Sequence, residues 1–185
     1  MDRNRNIVGN HPEWDFKVIP WEQAELLGVR TVSRDGINEN RHKMASSEFF
    51  VFTERTVLPI DENHWLEVLP GFATDWCSVP VKPRFMRALL KHNTQDVRRA
   101  AVTHDALYNW QPEYIGWHMS NDIFKRIILE DGGSRTKARL MHWGVETSIG
   151  KGHWENDALF DKENRQFCVI HNRLLEGINF EEIDV

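Results

Sequence analysis

The chain has 185 residues, 41% of them hydrophobic and 28% charged, with a formal net charge of −5 and a pI near 6.0. That length suits one domain able to bury a core without staples, and eight Trp and ten Phe set it apart from disordered sequences. Lys and Arg are scattered, so no basic face offers itself to phosphates and no nucleic-acid partner is expected.

Only Cys77 and Cys168 are present, which argues against a disulfide scaffold and for a reducing compartment. The opening MDRNRNIVGNHPEWD lacks the apolar centre of a signal peptide. No run reaches the roughly 18 to 20 apolar residues of a transmembrane helix.

Residues 1–45 read as an arm or irregular segment, punctuated by Pro12, Pro20, Gly28 and Gly36. Within it, DFKVIPW is a short apolar group, and WEQAELLGV (21–29) suits a short helix stopping near Gly28. From Ser47 the text changes. SEFFVFTERTVL and HWLEVLPGF predict two strands of an antiparallel hairpin, with Asp61, Glu62 and Asn63 as the turn. GFATDWCSVPVKP (71–83) then reads as a loop.

The second half has helical rhythm. KPRFMRALLKH (82–92) is periodic, and TQDVRRAAVTHDALYNW (94–110) starts on Thr94 with apolar or small residues at 97, 100, 101, 104 and 108. SNDIFKRIILEDGG predicts a helix capped by Ser120 and stopped by Gly132 and Gly133. SRTKARLMHWGVETSIGKGHW predicts one further helix, from Ser134 until it fails near Gly150 and Gly152. The last segment, 156–185, suggests a short helix around Phe167 to Leu175 and an acidic tail. The expected fold is therefore α+β: an extended arm and a small antiparallel sheet, then three to four packed helices, with 46–155 as the core domain.

Within the stretch 94–110, AAVTHDALYNW points to chemistry. His104 and Tyr108 share a face, four residues apart, while Asp105 lies about 100° further round and addresses a different neighbour. An antiparallel following helix would carry Asp122 in its first turn, where it can accept from one nitrogen of His104 and leave the other to act as a base. The catalytic candidates are thus His104, Asp122 and Tyr108.

Upstream, Gly71, Thr74, Asp75 and Ser78 form an oxygen-rich loop of the kind a hard cation prefers, which with Asp105 makes calcium the candidate metal. The same residue types equally serve tight turns, and a histidine on a half-apolar helix face equally serves a structural network. Trp76, Trp110 and Trp117 are placed to wall a pocket. Neither HExxH nor GxSxG is present, so zinc-protease and acyl-enzyme chemistry have no motif here.

Taken together, GFATDWCSVP, RAAVTHDALYNW, SNDIF and MHWGVETSIGKGHW resemble family 1353 of the domains of unknown function, across residues 66–154. Its pattern is a Gly-x-x-Thr-Asp-x-x-Ser-(Ile/Val)-Pro loop, an Ala-Ala-x-x-His-Asp-x-x-Tyr helix and an Asp-bearing helix. The resemblance implies a phage-encoded, virion- or tail-associated protein made in the host cytoplasm, whose partners are other virion or tail proteins.

The His-Asp-x-x-Tyr helix is also distantly similar to the phospholipase A2 enzymes. That similarity implies a calcium-dependent hydrolase: His104 activates water, Asp122 orients His104, and Asp105, Asp75 and Gly71 hold calcium. Membrane contact would follow only from such a lipase-like activity.

Overall fold

The computed structural model describes residues 16–29, 50–74, 76, 94–110, 115–155 and 165–173. In chain order these hold β1 (Val18–Pro20), α1 (Trp21–Leu26), β2 (Phe50–Phe52), β3 (Thr56–Pro59), β4 (His64–Val68) and β5 (Ala73–Thr74). There follow α2 (Gln95–Trp110), α3 (Trp117–Glu130), α4 (Arg135–Val145), α5 (Ser148–Glu155) and β6 (Cys168–Asn172). The architecture is α+β: two three-stranded antiparallel sheets, ordered β1-β2-β5 and β3-β4-β6, with helices packed beside them.

The β3–β4 hairpin forms where the sequence places it. Asp61 accepts from the backbone N–H groups of Asn63 and His64, both at 2.9 Å, which closes the turn as short acidic side chains do. The run SEFFVFTERTVL, however, is not one strand. It breaks at residues 53–55, sending β2 to one sheet and β3 to the other.

The apolar stretch near Phe167 is likewise a strand where a short helix was expected. β6 pairs along the whole of β4, from Val68↔Cys168 to His64↔Asn172, and this non-local pairing overrides local propensity.

The helices follow apolar stripes. Val97, Ala100, Ala101 and Leu107 bury one side of α2 against Phe124, Ile127 and Ile128 of α3, in one core with Phe52, Phe72 and Leu66 from the sheets. Contacts run from Arg99 with Asp131 at one end to Tyr108 with Trp117 at the other, so the pair is antiparallel.

Helix α3 starts at Trp117, one turn before the expected cap. Gly116 is the N-cap, and Ser120 lies inside the first turn, its hydroxyl donating to the Trp117 carbonyl at 2.9 Å. The end is as expected: Gly132, at φ 89°, turns the chain out of the helix, and the N–H of Gly133 closes back onto the Ile128 carbonyl.

Ser134 caps α4 by accepting from the Lys137 N–H. The single long helix expected from Ser134 is in fact two, interrupted at Glu146 and Thr147, and Gly150 and Gly152 fall inside α5. The helical stretch 82–92 lies outside the described residues, as do Cys77 and Ser78.

Candidate functional site

The helix period directs His104 and Asp105 to different partners. His104 faces α3, its ring 4.2 Å from that of Tyr108 and 4.9 Å from that of Phe124, centroid to centroid. Asp105 faces β5, where its Oδ2 accepts the Thr74 hydroxyl at 2.7 Å. Thr74 Oγ1 in turn accepts the backbone N–H of Trp76 at 3.2 Å. Trp76 sits at φ 52°, a conformation costly for a bulky residue. Burial holds it there, with Phe16 stacked at 5.6 Å and the Arg98 guanidinium 5.4 Å from its ring.

The residue that meets His104 is Asn121, one position before the carboxylate expected there. Asn121 is fully buried, and its Oδ1 lies 2.8 Å from His104 Nε2 and 3.0 Å from the Tyr108 hydroxyl. Its Nδ2 donates to Glu146 Oε1 at 2.8 Å. Trp117 Nε1 donates to the Tyr108 oxygen at 2.8 Å, which leaves the phenol's single proton for Asn121.

Asp122 lies elsewhere. Its side chain is 70% exposed and its Oδ1 is 3.1 Å from His142 Nε2, a nitrogen not aligned for a hydrogen bond. The two residues diverge because Asn121 falls on the buried stripe of α3 and Asp122 on its outer face.

Donors and acceptors then assign the imidazole. An amide oxygen only accepts, so His104 Nε2 carries a proton, and in the neutral ring Nδ1 is the basic nitrogen. Tyr108 is driven the other way: burial pushes its pKa up to about 12, opposed by hydrogen bonds from Trp117 and to Asn121. It stays a proton donor at neutral pH. Trp154 of α5 closes the far side of this phenol, edge-on at 5.0 Å.

The calcium set meets the structure only in part. Asp105 accepts the Thr74 hydroxyl. Asp75 lies outside the described residues. Gly71 occupies φ 102°, its N–H donating to the Phe52 carbonyl and the Phe167 ring standing where a Cβ would project, which is a turn role.

Among the described residues no three His, Cys, Asp or Glu side chains are grouped to hold a metal ion. Of the expected calcium ligands, Asp105 supplies the one carboxylate among the described residues.

An α+β domain with a histidine whose tautomer is set by a buried amide is the class that fold and site define. Residues 51–145 match the family model described as "Protein of unknown function (DUF1353)". The chain belongs to that family. No curated protein and no solved structure matches it. Among the described residues, no helix is long and apolar enough to cross a membrane.

Proposed function

We propose that the chain is a phage-encoded, virion- or tail-associated protein, as the family resemblance implies, and that its His104 centre is a general-base site for hydrolysis of a lipid ester or another ester or amide. The chemical half rests on one observation: the buried Asn121 oxygen lies 2.8 Å from His104 Nε2, an arrangement that favours the Nε2–H tautomer, whose basic nitrogen is Nδ1. His104 itself is only partly buried, as are Asp105 and Tyr108 beside it on α2. A base held in one tautomer takes the proton of an attacking water without first reorienting, which contributes on the order of 10²- to 10⁴-fold.

A second reading has its own observation. Asn121 joins α2, α3 and the end of α4 with its bonds satisfied internally, as a non-enzymatic helix clamp requires. The two readings part in one assay. Purified protein is offered phospholipid vesicles and soluble esters, with and without calcium, beside His104→Ala. Hydrolysis that His104→Ala loses while keeping its melting temperature supports the base. A wild type inert on every ester, whose Asn121→Ala variant unfolds, leaves the clamp. Mass spectrometry of purified particles tests the virion assignment separately.

A further inference from the structure

Glu146 is absent from the candidate residues above, yet it is where the hydrogen-bond chain at His104 begins. It caps the C-terminal end of α4, its backbone N–H bonded to the His142 carbonyl, and its side chain is 23% exposed. Oε1 receives Asn121 Nδ2 at 2.8 Å, and Oε2 lies 2.9 Å from Nδ1 of the exposed His118. His142 Nε2 stands 4.0 Å from Oε1.

A carboxylate offers no proton, so only the NH2 end of the Asn121 amide can face it. That orientation forces the amide oxygen toward α2, where it can accept from Tyr108 and His104 but cannot donate to them. The choice of tautomer at His104 is therefore made two side chains away. Were the amide reversed, its NH2 would face Nε2, the lone pair would move to that nitrogen, and Nδ1 would carry the proton.

We infer that Glu146 is a positioning residue, which fixes the Asn121 amide and through it keeps the neutral His104 ring in its Nε2–H form. The inference rests on His104 being the base, but its test does not. Long-range 1H–15N correlation on labelled protein, at a pH where the ring is neutral, reads the tautomer directly.

The wild type is expected to show Nε2–H alone. Glu146→Ala is expected to lose that single form and show both tautomers. Glu146→Gln, whose amide oxygen can still accept from Asn121, is expected to restore it. His118→Ala, which removes the ring beside Glu146 Oε2, leaves the tautomer unchanged.

If Glu146→Ala folds and keeps pure Nε2–H, the inference is overturned. If that variant does not fold, the wild-type spectrum still decides, since an Nδ1–H ring there overturns it without any substitution. Should an ester substrate be found, Glu146→Ala lowers kcat by roughly tenfold or more with KM held, and Glu146→Gln recovers it. An inert wild type with the predicted tautomers would instead end the hydrolytic reading alone.

Discussion

Tyr108 shows how tightly the bonds at this centre depend on one another. Its oxygen takes the Trp117 indole proton and its own proton goes to Asn121, so removing one oxygen leaves a donor without its acceptor and an amide with one donor fewer. Tyr108→Phe is therefore expected to cost about 1 to 3 kcal/mol, read as a lower urea midpoint, while His104 keeps its bond to Asn121. A midpoint unchanged within error would mean that water replaces the hydroxyl and the indole is not held by it.

The sequence exposes this face only partly. His104 and Tyr108 are legible together because a helix period puts positions four apart on one side. Asn121 is not, because taking Ser120 for the N-cap puts position 121 at the helix's very start and draws attention to the acidic neighbour in the first turn. The signal that would have found it is its place on the stripe of Phe124 and Ile128, where a polar residue must be bonded.

At the scale of elements, the strands were hard to read for a different reason. β1, β2 and β5 hold three, three and two residues, too few for alternation to register, and their sheet exists only through tertiary pairing. What brings β5 beneath Asp105 is the turn before it. There Gly71, at φ 102°, lets the chain donate to the Phe52 carbonyl and pass against Phe167.

A Cβ at position 71 would lie 2.6 Å from Phe167 Cε1, in a conformation that side chains avoid. Gly71→Ala is expected to destabilise by about 2 to 4 kcal/mol, strain and overpacking together. Because Phe167 precedes β6, hydrogen exchange should rise first in Val169 and Ile170; protection lost evenly over the chain would contradict a local cause. The helical half was more legible, since α2 is long and its stripe uninterrupted, and the break at Glu146 escaped notice because Gly150 and Gly152 looked like the stronger stop signals.

Across the molecule, three depressed carboxylates among the described residues make stability depend on acid, and two of them, Asp96 and Glu67, tie sequence-distant parts together. At Asp96, burial pushes the pKa up but is outweighed by the Lys137 ammonium, at 2.9 Å, and by Thr94, so it lies below its ordinary 3.8. This pair joins the first turn of α2 to α4.

Glu67 is pulled below 4.5, chiefly by Arg55, against burial, with help from His171 across β4 and β6. Asp61 is raised by burial but brought below 3.8 overall by the N–H of Asn63 and by His64 in the hairpin turn. A carboxylate whose folded pKa is depressed stabilises the fold fully above its unfolded value, and that contribution is lost as pH falls through the folded one.

The urea midpoint should accordingly be level with respect to these groups down to about pH 5 and fall progressively below it. Asp96→Asn provides the control. It lowers the midpoint near neutrality by removing the charge on Lys137's partner, and it flattens the acid slope because one titrating group is gone, so the two curves converge at low pH. If the variant runs parallel to the wild type through the acid limb, the bond between α2 and α4 is not among the interactions that acid breaks.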